Sequence, residues 1–190
     1  YSLIQMSLID TWAATGAGAF SLSENALYTT EAWQVFFNRL ADDGIFTVSR
    51  WYNPGNLNEA GRLLSLAVAS LLQRGITNPS AHLAMVTAGG ISTLLLSKPP
   101  FKEAELATLK KLTTDLHYDL VIVPHQAPAN DVLRQIITAR SFDQLTTAVA
   151  TGPLNYEPPT DENPYFFNML RLNHLNAISI FEQSDYGVLH

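Results

Sequence analysis

The sequence predicts an α/β fold: a parallel sheet begun by a strand–helix–strand unit, closed by an antiparallel hairpin and followed by a small α/β appendage. Three observations carry this. Residues 1–9 and 45–50 are short, mostly apolar runs on either side of a capped helix pattern, the order of a right-handed βαβ unit. Residues 81–86 and 91–97 are two further apolar runs joined across Gly89-Gly90, the signature of a hairpin. Beyond Lys98-Pro99-Pro100-Phe101 the pattern changes to short helices, one strand and a proline-rich irregular stretch. The expected division is therefore a domain over residues 1–100 and a helix-rich appendage with a wrapping tail over residues 101–190.

The elements follow in order. Residues 1–9 read as a buried strand with Asp10 just past its carboxyl end. The loop after it carries Trp12 and Gly16-Ala17-Gly18, and Thr29 or Thr30 caps a helix running to Asp42, with Glu31 in its first turn. Gly44 ends that helix, and residues 45–50 form the next strand. In sheets of this kind ligands sit beyond the carboxyl ends of the strands, here residues 7–15 and 50–56. Asn53-Pro54-Gly55-Asn56 is a turn. The helix predicted over 58–74 is apolar on most sides, so both of its faces are expected to be covered, and Gly75 closes it. Residues 77–80 are a loop. An amphipathic helix over 102–117 places Leu106, Leu109, Leu112 and Leu116 along one side. A strand over 118–123 stops at Pro124, Asn130 caps a helix to Arg140, and a shorter helix spans 142–150. Residues 152–164 have no regular period and are expected to wrap a surface, anchored by Tyr165-Phe166-Phe167-Asn168-Met169-Leu170. The last twenty residues are a weak mixed pattern, a helix or a tail.

Composition sets the outer limits. At 190 residues, 47% hydrophobic and 15% charged, the chain is long enough to bury a full core. A formal net charge of -6 argues against a nucleic-acid surface, since binding there depends on basic groups that displace counterions from phosphates. The absence of cysteine excludes disulfides, thiolate metal ligands and a cysteine nucleophile. The longest apolar run, residues 63–72, is half the length of a membrane span and reads as a core helix. No signal peptide is visible, and the start at Tyr1, inside a strand pattern, reads as a cut.

Several features invite a chemical reading. Gly16-Ala17-Gly18 suggests a phosphate-binding loop, but Ser21 stands where the third glycine belongs and no helix opens directly behind it; a flexible loop near a ligand is the alternative. His82, His117, His125, His174 and His190 show no metal-ligand spacing. No Gly-x-Ser-x-Gly elbow is present, so a serine hydrolase is excluded at its first step. Asp10 is placed differently, since an acid just past a buried strand sits where ligands bind; the competing role is loop capping.

The run from Tyr1-Ser2-Leu3-Ile4 through Asp10, the loop to Ala26-Leu27-Tyr28-Thr29, the helix ending Arg39-Leu40-Ala41-Asp42-Asp43-Gly44, and Ile45-Phe46-Thr47-Val48 resemble the second half of the spermidine synthase family. The likeness extends over roughly the first hundred residues, to the strand Gly90 to Ser97. Thr160-Asp161-Glu162-Asn163-Pro164-Tyr165-Phe166-Phe167 resembles the tail of spermidine-synthase-like domains of bacterial membrane proteins. The resemblance implies a partial Rossmann-like methyltransferase fold, a parallel sheet with an antiparallel terminal hairpin. It implies S-adenosylmethionine or its decarboxylated form as cofactor, held by motifs of the family's first half, so that none is expected bound to this chain alone. It implies a soluble, cytoplasmic domain without a membrane span, in a parent protein anchored to a membrane.

In that family an Asp-Ser-Ser-Asp-Pro type segment ends the strand, its first acid serving as the base toward the attacking amine and its second helping to hold the amine. Those places fall on Ser7 and Asp10. A serine hydroxyl is not a base near neutral pH without a partner such as histidine. A Tyr-Pro stretch that binds the amine in the family is replaced by Met85-Val86-Thr87-Ala88-Gly89-Gly90. Two functions are therefore expected as alternatives. One is part of a transferase for aminopropyl or methyl groups, inactive alone, with Asp10 orienting an amine and Trp12, Trp51 or Tyr52 beside it by cation–π contact. The other is a non-catalytic binding or regulatory module of a membrane protein that keeps the transferase scaffold. The resemblance also makes the strand Ser2 to Ser7 interior to a larger sheet. Alone it is an edge without lysine, proline or inward charge, which predicts a homo-oligomer.

Overall fold

The computed structural model describes residues 1–8, 24–55, 57–150, 154–169 and 171. It is an α/β protein built on one five-stranded mixed sheet. In chain order the elements are β1 (Leu3–Ser7), α1 (Thr30–Arg39), β2 (Ile45–Trp51), α2 (Asn58–Gln73), β3 (Leu83–Ala88), β4 (Ile91–Ser97), α3 (Glu103–Leu116), β5 (Asp119–Ile122), α4 (Asp131–Ile137) and α5 (Phe142–Ala150). The strand order is β1-β2-β4-β3-β5. β1 and β2 are parallel, in register from Leu3 opposite Ile45 to Ser7 opposite Ser49, and every other pair is antiparallel. This arrangement is compatible with a Rossmann-like sheet. No described helix is long and apolar enough to cross a membrane.

Local chemistry explains most element boundaries. Thr29 caps α1, its Oγ1 accepting from the Ala32 N–H. α1 ends at Arg39, short of the expected Asp42: Leu40 is extended, and Asp42 and Asp43 would have placed negative charge at the negative end of the helix dipole. Gly89 and Gly90, at φ 56° and 81°, supply the two left-handed residues that a tight hairpin between β3 and β4 requires. The helix expected from Asn130 to Arg140 is split. α4 stops at Ile137, and the N–H of Arg140 bonds to the side chain of Gln144 while Ser141 Oγ accepts from the Gln144 N–H, a capping arrangement that starts α5. Residues 79–82 form a 3₁₀ turn opened by Pro79, so Ala81 and His82, expected in the strand, precede it and β3 starts at Leu83.

The sheet has two unlike faces. Phe46, Val48 and Arg50 of β2, Ser92, Leu94 and Leu96 of β4 and Met85 of β3 point to one side and are buried there. α2 covers this side. All its residues from Glu59 to Leu72 are buried, as its apolar circumference predicts, because the sheet lies on one flank and α1, α4, α5 and residues 154–169 lie around the rest. Truncating a residue such as Leu64 there costs about 2–5 kcal/mol. Trp33 of α1 is fully buried, its ring edge-on to Phe46 at 4.8 Å and its Nε1–H donating to the Leu27 carbonyl. β5 extends the same sheet, and α4 and α5 add Leu133, Ile136, Leu145 and Val149 to the same core.

β1 departs from the buried strand that its apolar composition predicts. It is five residues long, it ends where Leu8 turns left-handed at φ 42°, and only Met6 is buried while Leu3 is 55% exposed. An edge position and an open sheet face account for this, since a strand hidden on one face alternates. α3 differs in the same way. Of its predicted apolar stripe, Leu112 and Leu116 are exposed, and Thr113 is the buried residue of the helix.

Candidate functional site

The carboxyl end of β2 is where the chain concentrates its buried charge. Alternation along the strand puts Arg50 on the core side after Phe46 and Val48, and it is 1% exposed. A cation so placed needs compensation. Its Nε donates to Glu59 Oε2 at 2.7 Å, and its Nη1 donates to the Tyr28 hydroxyl at 3.1 Å. Glu59 is also buried and sits in the first turn of α2, where the helix dipole favours an acid. Three rings close over the guanidinium: its carbon lies 4.7 Å from the Phe167 centroid, 5.3 Å from Tyr28 and 5.8 Å from Phe166. Tyr28 and Phe166 stack at 4.5 Å.

Phe166 and Phe167 reach this point on a strap, residues 154–169, that crosses α2 and the start of α1. Arg62 of α2 donates to the carbonyls of Glu157, Phe166 and Asn168, and Ser65 Oγ donates to the Tyr156 carbonyl. Burial pulls the Arg62 pKa down to about 10, opposed by the Glu157 carboxylate, so the guanidinium still carries its charge at neutral pH. Tyr156 is pushed up to about 12 by burial, with Arg171 opposing. At the other end Thr29 Oγ1 donates to Asp161 at 2.6 Å, the Asp161 N–H bonds to Glu31, and the N–H groups of Thr30 and Asn25 bond to the carbonyls of Pro159 and Pro164. The expected wrapping segment is thus a hydrogen-bonded closure beside the carboxyl end of β2, on the helix side of the sheet.

Of the candidate site residues named from the sequence, the described ones, Ser7, Trp51 and Tyr52, are not brought together. Ser7 is exposed at the tip of β1, on the sheet face opposite Arg50, and among the described residues it has no histidine or carboxylate hydrogen-bonded to it. Asp10 and Trp12 lie outside the described residues, as do Gly16 and Gly18. Trp51 is 37% exposed on the open face. Tyr52, the next residue, is half-buried against the core, held by its N–H to the Gly90 carbonyl, and lines a cleft with the 123–130 loop. Trp51 and Tyr52 therefore emerge on opposite sides. Burial, with the Asp119 carboxylate adding to it, raises the Tyr52 pKa, so its phenol stays protonated and can donate.

Reading the sequence as strands and caps missed Arg50, Glu59 and Arg62 as a group. The signal was present: Arg50 continues the buried alternation of Phe46 and Val48, and Glu59 and Arg62 interrupt a helix apolar on most sides. Of the histidines, His82 is a satisfied core residue, its Nδ1 3.1 Å from the Ser97 carbonyl. Among the described residues no group of three or more histidines and acids is placed to hold a metal ion. Compared with protein-family models, curated proteins and solved structures, the chain has no match in any of the three, and the site stands on its own geometry.

Proposed function

We propose that this chain supplies the acceptor side of a spermidine synthase-like, S-adenosylmethionine-type transferase domain, with substrate held beyond the carboxyl ends of β1 and β2. The observation that carries the reading is the sheet order. A parallel β1–β2 pair is followed by a hairpin whose second strand, β4, lies antiparallel beside β2 and leaves β3 outside it, which supports the arrangement implied by the resemblance. In this reading Asp10 orients a cationic amine, Trp12, Trp51 or Tyr52 adds an aromatic wall, and Ser7 occupies the place of the base. The donor is S-adenosylmethionine or its decarboxylated form, bound through residues that the resemblance assigns to the family's first half. The location it implies is cytoplasmic, in a parent anchored to a membrane. A second reading, a non-catalytic binding or regulatory module on the same scaffold, is favoured by the exposure of Ser7 without an activating partner among the described residues.

Calorimetry with putrescine tests the first reading. Asp10→Asn is expected to weaken binding at least tenfold without changing the circular dichroism, because it removes a charge from a loop. Equal affinities would take Asp10 out of the site, and no amine binding by either protein would leave the module reading. S-adenosylmethionine is expected not to bind the 190-residue chain, and micromolar affinity would overturn that assignment. We also infer self-association through β1, whose outer edge has no strand partner among the described residues and whose residues 2–6 include no lysine or proline.

A further inference from the structure

The cleft beside Tyr52 is separate from the closed Arg50 cluster, and both of its walls are held by the fold. On one side the chain leaves β2 through Tyr52, and the Asn53 side chain accepts from the Gly55 N–H, fixing Pro54 in a tight turn. On the other side β5 ends before Pro124, and the Gln126 N–H closes a turn onto the Val123 carbonyl. Arg134 of α4 holds the Pro128 carbonyl, and Asn130 caps the helix with its Oδ1. The space between them is about 500 Å³, in the range of small-molecule sites.

Its chemistry is one-sided. Pro54, Leu120, Val121, Val123 and Pro128 give an apolar bed, and the polar groups are Tyr52, Gln126 and Asn130. None of the described lining residues is charged. The charges nearest the cleft lie outside its lining: the Asp119 carboxylate near Tyr52, and the Arg134 guanidinium, already engaged by the Pro128 carbonyl and Asp131, so an ion entering the cleft would lose water for little direct pairing. The Tyr52 phenol donates, and Asn130, whose Oδ1 is engaged by the N–H groups of Val132 and Leu133, presents its Nδ2–H₂.

We propose that this cleft is a binding site for an uncharged, planar molecule carrying a hydrogen-bond acceptor such as an aromatic amide, lying on the Pro54–Pro128 bed and accepting from Tyr52 and Asn130. The site does not rest on the transferase reading, in which Tyr52 is one of three candidate walls beside a cation held by Asp10; here Tyr52 is instead a donor to an uncharged ligand.

The probe is 2-naphthamide, compared with its charged counterparts 2-naphthoate and 2-naphthylmethylammonium, titrated into the full chain while amide ¹H–¹⁵N shifts are followed. The amide is expected to bind with a Kd of about 1 mM or tighter. Its shifts should be confined to residues 52–55 and 120–130, and both charged counterparts should bind at least tenfold more weakly. Tyr52→Phe should weaken the amide about fivefold, and Ala129→Trp, at an exposed position on the rim, should remove binding by filling the space; Ala127→Leu repeats that test should Ala129→Trp not fold. Equal affinity for all three probes, shifts centred elsewhere, or undiminished binding by the folded rim variant would overturn the proposal. Putrescine shifting these same residues would overturn its claim to uncharged ligands, whereas putrescine binding nowhere would end the transferase reading and leave this one standing.

Discussion

On the helix side of the sheet Phe46, Val48, Leu94 and Leu96 are at most 1% exposed, whereas on the other side Leu3 is 55% and Trp51 37% exposed. The same strands make both surfaces, so the difference lies in what covers them. Under the helices a charge is tolerated only in company: Arg50 has Glu59 and Tyr28, and Arg62 has three carbonyls. On the open face polar groups need only each other or water, as where Ser49 and Thr93 pair across β2 and β4 at 2.9 Å. Covered and open are thus two regimes for the same residue chemistry, and substitutions should separate them.

The largest effect is expected from Glu59→Ala, which removes a buried counter-charge and should cost about 3 kcal/mol or more, read from the urea midpoint. The double variant Arg50→Met, Glu59→Met should cost less than Glu59→Ala alone. If Glu59→Ala loses under 1 kcal/mol, the covered face does not impose pairing. Gly61→Ala comes next. A Cβ there would lie 2.7 Å from Tyr156 Cε1, inside any tolerable contact with a ring that is 2% exposed. Overpacking of this kind costs about 1–3 kcal/mol, and the helix propensity of alanine returns about 1 of it, so a net loss of up to about 2 kcal/mol is expected from thermal melts.

Alkaline titration sharpens the comparison further. Tyr156 has a folded pKa of about 12 against about 10 unfolded, so the proton is held more tightly in the native state. The stability this contributes is complete below pH 10 and is lost as the pH rises from 10 through about 12. Tyr156→Phe should therefore lose stability less steeply than the parent in that window; parallel curves would remove Tyr156 as the cause. The smallest effect belongs to the open face. Leu3→Lys should change stability by less than about 0.5 kcal/mol, yet shift light-scattering mass toward the 20.9 kDa monomer by charging the edge through which association is inferred. A parent that is already monomeric at high concentration would refute that association.

The fold was legible where one local rule decided the outcome. Gly89-Gly90 fixed the hairpin turn, Asn130 and Thr29 fixed helix starts, and the all-round apolar character of α2 fixed its central place. Less was legible where tertiary surroundings decide. The apolar composition of residues 1–9 and of the Leu106–Leu116 stripe says that a surface exists, not that anything lies on it, and residues 1–8 and that stripe are partly exposed. The Arg50 cluster was legible only in halves, because Glu59 lies nine residues away while Phe166 and Phe167 lie more than a hundred, with no local pattern to join them. Of the candidate substrate residues, alternation alone separates Trp51 from Tyr52, a consequence available in the sequence once β2 runs through Trp51.

The strap also orders events in time. Its bonds join residues far apart along the chain: 132 positions separate Thr29 from Asp161 and 104 separate Arg62 from Phe166. Loops of that length close slowly, since their entropy is lost before any contact compensates. On a ribosome adding about 5–20 residues each second, the sheet's first strands would wait about 5–30 s for residues 154–169 to emerge. During that interval Arg50 lacks the Phe166 and Phe167 rings that close over its guanidinium. Pulse-labelled hydrogen exchange during refolding should accordingly find the amides of Thr30 and Asn25, which bond to the strap, protected after those of β2 and β4.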